Sequence, residues 1–324
     1  MTAVRPRVTA RLDPSMHVAI DEVVPLAYTK PPDPHYDLPA YVRSASAVRR
    51  LTRHLVIVQD DVNAFAIYDR EDGYLFPIML PRGPGERRRF DDVIGNKHLK
   101  MDLEALALLP DERLVAFGSG ASATRERLAV VSRRHPPSVR DGGALYRSLR
   151  EERAFAGAQL NIEGAVVAGD RLLLFQRGNG ALRGGREPVN AVGALALEGF
   201  VRWLDGRGPP PPLLDVTPFD LGEIDGSPLG FTDAAATADG RIAVIACAED
   251  SPDALTDGPV LGCRFGWLEP GGELRTAPVR ECGREPLKLE GIESRPGTLG
   301  EFDVVADGDR PLEPALLARL RVRE

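Results

Sequence analysis

Acidic residues recur along the chain at Glu104, Glu163, Asp233 and Glu290, and Ser46 occupies the same place at the start of the series. Each opens a short segment of small or apolar residues, and a second apolar run follows nine or ten positions later. The pairs are Ser46 with Leu55-Val-Ile-Val, Glu104 with Leu114-Val-Ala-Phe, Glu163 with Leu172-Leu-Leu-Phe, Asp233 with Ile242-Ala-Val-Ile, and Glu290 with Leu299-Gly-Glu-Phe. If such segments meet at one axis, their carboxylates face each other at close range. Repulsion on the order of several kcal/mol follows where water is scarce. A ring of this kind takes up protons, raises its pKa values or holds a cation. Oxygen donors select Ca²⁺, with Mg²⁺ as the alternative, over softer metals. The metal set read this way is Glu104, Glu163, Asp233, Glu290 and Asn161, with Glu163 and Glu290 the candidates for a catalytic base. The competing reading is a solvated acidic channel with no specific metal.

The elements needed to bring these residues together are short strands. Side chains alternate along a strand, so residues two apart share a face. The layer beside the carboxylates is then Ser44, Asp102, Asn161, Phe231 and Lys288. Arg177 and Asn179 end the strand after Glu163, Asp60 and Asp61 end the one after Ser46, and Glu249 and Asp250 follow the fourth. Asp102, Lys288, Arg177, Asn179, Asp60 and Asp61 are therefore expected at one mouth of the axis, where mixed charge suits a small polar or anionic ligand.

A repeat of 57 to 70 residues with a constant internal offset is the mark of a repeat architecture. Blades of four short strands fit that length. The expected fold is an all-β β-propeller of five blades, six being the alternative, spanning residues 1–324 as a single domain. Residues 1–40 supply a closing strand, expected near 6–12 in the last blade, and a proline-rich connection. The third repeat is expected to pair 190–197 with 199–204 across a tight turn, with 205–212 as a surface loop. Residues 142–155 read as a short helix.

The chain has 324 residues, 43% hydrophobic and 27% charged, with net charge −7. Those are the proportions of an ordinary globular protein. The acidic balance excludes a nucleic-acid binder, and no apolar run is long enough to span a bilayer. Met1 to Asp13 lacks the apolar core of a secretory signal. Three cysteines, Cys247, Cys263 and Cys282, are odd in number and without CxxC spacing, which suits a reducing compartment. Cys247 reads as core. A cytoplasmic protein is expected. Gly178-Asn-Gly-Ala-Leu-Arg-Gly184 lacks dinucleotide-loop spacing, Gly118-Ser-Gly-Ala-Ser122 is no nucleophile elbow, and the five scattered histidines form no metal pair.

Asn161-Ile-Glu-Gly-Ala, Arg177-Gly-Asn179 and Lys288-Leu-Glu-Gly-Ile292 resemble the blade-centre motifs of an uncharacterised bacterial β-propeller family. That family is related to the esterase-like-phytase-domain and SdiA-regulated propellers, and the resemblance covers about residues 40–310. It implies a propeller with a divalent cation on its axis. Lys97, Lys100, Lys288 and Arg177 are too few for the polyphosphate chemistry of propeller phytases. Two functions are expected to compete: a ligand-binding or scaffold module with a bound cation, and a metal-dependent hydrolase of the lactonase or phosphoester type.

Overall fold

Short apolar segments separated by turns form antiparallel hairpins throughout the computed structural model, which describes residues 2–179, 181–250, 258–281, 285–308, 310 and 312–324. The first sheet is Ala45–Leu51, His54–Gln59, Ala64–Asp69 and Tyr74–Met79. The second is Leu103–Leu108, Leu114–Gly118, Arg127–Val131 and Ser138–Asp141. The third is Ile162–Ala168, Arg171–Gln176, Asn190–Ala196 and Leu213–Asp220. The fourth is Gly230–Ala236, Ile242–Glu249, Val260–Leu268 and Leu274–Glu281. The fifth is Lys288–Ser294, Glu301–Asp307 and Leu316–Arg323, with His17–Pro25 as its outer strand.

The opening strands of these sheets touch in sequence, and the fifth returns to touch the first. A separate apolar core fills each junction between neighbouring sheets. Phe117 and Phe155 lie in the core between the second and third sheets, Phe265 and Phe302 in that between the fourth and fifth. All-β sheets of four strands, packed face to face around their first strands, have the layout of a β-propeller.

The strand that completes the fifth sheet is His17–Pro25, not residues 6–12. Met16, Val18 and Ile20 bury their side chains against that sheet, whereas Leu12 is exposed. Residues 3–12 instead form two-residue pairings with the outer strands of the third and fourth sheets. The segment 3–25 thus runs along three sheet edges and covers backbone groups that would otherwise be open to pairing.

Two other expectations change. Residues Leu197–Leu204 form a helix rather than a strand, and Leu213–Asp220 supplies the outer strand. Phe200 and Leu204 turn the helix's apolar face into the core at the second sheet, a helical spacing hidden inside a short run. In the fifth repeat the strand starts at Glu301, because 295–300 form the turn. The helix expected within 142–155 is present as Gly143–Glu151. No helix among the described residues is long and apolar enough to cross a membrane.

Cys247 is buried as expected, but it is bonded to Cys263, which faces it across the fourth sheet. That pairing runs against the reading of the cysteines as suited to a reducing compartment. It was hidden because two cysteines separated by 16 residues become neighbours only once the hairpin register is known. Cys282 lies outside the described residues.

Candidate functional site

Every inner hairpin carries the same irregularity. The register shifts at Ser46, Glu104, Glu163, Thr232 and Glu290, each an extra residue unopposed on the neighbouring strand. A β-bulge of this kind bends the strand and re-aims a side chain. Three bulge residues are glutamates, and Glu104, Glu163 and Glu290 all line one axial cavity of 690 Å³. The other two are hydroxyl residues that tie neighbouring strands together. Ser46 Oγ donates to the carbonyl of Leu103, and Thr232 Oγ1 to that of Leu289, each at 2.6 Å.

Asp233 therefore does not join the acidic collar. It sits one residue past the bulge, where the other sheets have Ala47, Ala105, Gly164 and Gly291. Its carboxylate is fully buried and grips Arg49 at 2.9 and 3.0 Å. The Arg49 guanidinium also donates to the carbonyls of Val48, Ala165, Ala234 and Ile292, which belong to four different strands. Burial raises the Asp233 carboxyl, and Arg49 pulls the other way. The hub is plugged at this level, and the cavity lies on the bulge side. Anchoring the fourth repeat on its apolar run misplaces the register by one residue: Asp233 pairs with Ile245, twelve positions on, whereas Gly164 pairs with Phe175, eleven positions on. A one-residue slip sends a side chain to the other face.

Asn161, Asp102, Lys288, Arg177, Asn179, Asp60 and Asp61 all line the cavity, as does Ser44. Phe231 does not; it is buried between Phe175 and Phe219. Asn161 Nδ2 donates to Glu163 Oε1 at 2.6 Å, and Arg177 lies 3.5 Å from the same carboxylate and 2.6 Å from Glu249. Lys288 pairs with Glu290 at 3.0 Å and approaches Glu249 at 3.6 Å. Across the cavity Lys100 bonds Asp60 and, at 2.6 Å, Asp102. Arg125 reaches Asp102 at 2.7 Å, and Ser119 Oγ donates to it at 2.5 Å. Arg43 holds Asp61 at 2.9 Å and Asp91 at 3.4 Å. Arg43, Asp91 and Arg125 lie outside the repeated motif, so spacing alone could not single them out.

Acid outnumbers base in the lining, eleven carboxylates against seven lysines and arginines. The excess concentrates on Glu104. Among the described residues its side chain has no hydrogen bond and no ion pair, and an oxygen of it lies within 4.8 Å of oxygens of Asp60 and Asp102. Burial, then Asp102, Asp60 and Glu163, push its carboxyl well above the usual range. Burial likewise raises Glu290 and Glu163, against Lys288 and Arg177 respectively. Burial and the adjacent Asp60 raise Asp61 to about 6. Asp102 moves the other way, because Lys100 and Arg125 outweigh its burial. One buried oxygen each of Asp60 and Asp61 has no hydrogen-bond partner among the described residues.

Residues 41–322 match the family of unknown function DUF6929. Among solved structures, glutaminyl cyclase of Myxococcus xanthus aligns at 12% identity over 100% of both chains, with a TM-score of 0.47. The mannose phosphorylase MPT-4 of Leishmania mexicana, in complex with phosphate ion, aligns at 13% identity over 93% of this chain and 88% of its own, also at 0.47. The gluconolactonase XC5397 of Xanthomonas campestris aligns at 13% identity over 97% of this chain and 100% of its own, at 0.41. A search of curated proteins finds no match to the sequence.

Proposed function

The chain belongs to the DUF6929 family, a family of unknown function, and we propose that it is a five-bladed propeller, closed by His17–Pro25, that binds a divalent cation in its axial cavity. Its role in this reading is that of a ligand-binding module. The observation that carries it is Glu104: a carboxylate with no side-chain hydrogen bond or ion pair among the described residues, met only by the field of Lys100, and grouped with Asp60 and Asp102. Charge repulsion within such a group is relieved by a cation or by protons. The donors are all oxygens, which fit Ca²⁺ first and Mg²⁺ second. Asn161, Glu163 and Glu290 face the same cavity and supply further oxygens for the cation or its ligand. Lys100 opposes binding, because its ammonium already bridges Asp60 and Asp102 and must give way.

Calorimetric titration of chelator-treated protein with CaCl₂ and MgCl₂ tests the proposal. The expected result is one saturable site, weakened at least about tenfold by Glu104→Gln. Absence of saturable binding of either ion, or identical binding by the variant, overturns it.

A hydrolase reading draws on Glu163 and Glu290, carboxyls held above the usual range beside Arg177 and Lys288. Such a carboxyl keeps its proton to a higher pH and can pass it to a leaving group; the carboxylate left behind can then take a proton from water. The cation would polarise a substrate oxygen. Turnover of an ester and lactone panel, lost in Glu163→Gln without a change in melting temperature, separates this reading from plain binding.

A further inference from the structure

The inner strands run from the acidic cavity, past Arg49, to a second cavity of 520 Å³ at the other end of the axis. Its walls come from the ends of the opening strands of the first and fifth sheets and from the turns that follow the opening strands of the first, fourth and fifth, with Arg50, Thr52, Glu293, Ser294, Arg295 and Thr298 the polar groups that matter. Behind them lies Asp303, which has no solvent exposure. It accepts a hydrogen bond from Arg50 Nη2 at 2.5 Å and another from Arg70, and Arg295 Nη1 stands 3.8 Å away. One carboxylate thus serves three guanidinium groups. Of the other carboxyls, Glu301 is 4.0 Å from Arg295 and already holds Arg319 at 2.6 Å and Arg321 at 3.6 Å, while Glu293 in the cavity wall faces Arg49 and Arg50.

Part of the guanidinium hydrogen-bonding capacity is unused. Arg50 Nε and Arg295 Nη1 are buried and have no hydrogen-bond partner among the described residues. Unpaired buried donors are rare and call for a partner. Burial and the like charge of Arg70 and Arg319 lower the Arg295 guanidinium, against the pull of Asp303 and Glu301.

We propose that this cavity binds a dianionic oxyanion, a phosphate or the phosphate group of a monoester, between Arg50 and Arg295. Guanidinium groups match phosphate oxygens in a planar, two-point contact. Asp303 orients Arg50, and the hydroxyls of Thr52, Ser294 and Thr298 offer further donors. The site is independent of the cation reading, since the Arg49–Asp233 contact intervenes between the two cavities.

Calorimetric titration of the full chain with sodium phosphate, at ionic strength held constant with chloride, tests it. One saturable site is expected, weakened about tenfold or more in Arg295→Gln. Arg295→Lys keeps the charge and loses the fork, so it weakens binding less than the glutamine variant but still measurably. Failure of phosphate to saturate, or unchanged affinity in both Arg295 variants, overturns the proposal.

Discussion

Arg49 and Asp233 meet at the axis in a two-point contact of 2.9 and 3.0 Å, with both side chains withdrawn from water. Arg49 also caps carbonyls on strands from the first, third, fourth and fifth sheets. Removing one member of a buried pair leaves the other charge uncompensated, at a cost of about 3–5 kcal/mol. Asp233→Asn and Arg49→Met are each expected to lower stability by that amount in urea unfolding. Their double variant is expected to recover part of the loss, because no lone charge remains.

Thr232 and Ser46 tie adjacent inner strands through one hydroxyl each. Thr232→Val and Ser46→Ala should each cost about 1 kcal/mol or somewhat more, since each leaves a buried carbonyl without its donor. The affinity of the proposed Ca²⁺ site, read by calorimetry, should stay as it was in Thr232→Val, because Thr232 does not line the cavity.

Gly291 and Gly164 follow their bulges where strands crowd the axis. A Cβ on Gly291 would stand 2.9 Å from Ala47 Cα and from Val48 N, which are backbone atoms of the next sheet. On Gly164 the nearest backbone atoms would be 3.3 Å away. Gly291→Ala is therefore expected to destabilise by about 1–3 kcal/mol and Gly164→Ala by less, in the same unfolding assay. Equal effects would argue that the packing is not what selects glycine here.

Glu293 gives the protein a pH dependence of known sign. Burial raises its carboxyl from 4.5 to about 7, against the pull of Arg49 and Arg50. Below 4.5 it is protonated folded or unfolded, and its contribution to stability is fully present. That contribution declines as the unfolded chain ionises and is gone once pH has risen through about 7. Glu293→Gln keeps the neutral form at every pH. Relative to it, the native chain should lose about 1–3 kcal/mol between pH 5 and pH 8, read from urea midpoints. A constant difference between the two proteins across that range would rule the effect out.

The strand character of the repeats is legible in their alternation and turns, and so is the company that Glu104, Glu163, Glu290, Asn161 and Lys288 keep, because all sit at or two residues from a bulge. The bulge itself is not legible. It adds one residue to a strand without changing composition, so an anchor measured from the next apolar run lands on Asp233 when the hairpin is longer by one. Asp233 looks like another glutamate of the series until Arg49, 184 residues away, claims it. The edge strand His17–Pro25 escaped for a related reason. Residues 7–12 alternate equally well, and only the burial of Met16, Val18 and Ile20 distinguishes the segment that packs. Partners such as Arg125 and Arg43 come from loops, where spacing carries no information about who meets whom.

The stitching of residues 17–25 to 316–323 makes assembly wait on synthesis. Glu22 and Arg319, bonded across that seam, stand 297 positions apart. Such distant pairings demand the greatest loop-closure entropy and arrive late. A nascent chain can pack its first four sheets against one another while its leading strap still lacks the partner strand of the fifth. Until that partner leaves the ribosome, Val18 and Ile20 can pair only with Val279 and Glu281 of the fourth sheet, and the face of the fifth against which they pack stays unfinished.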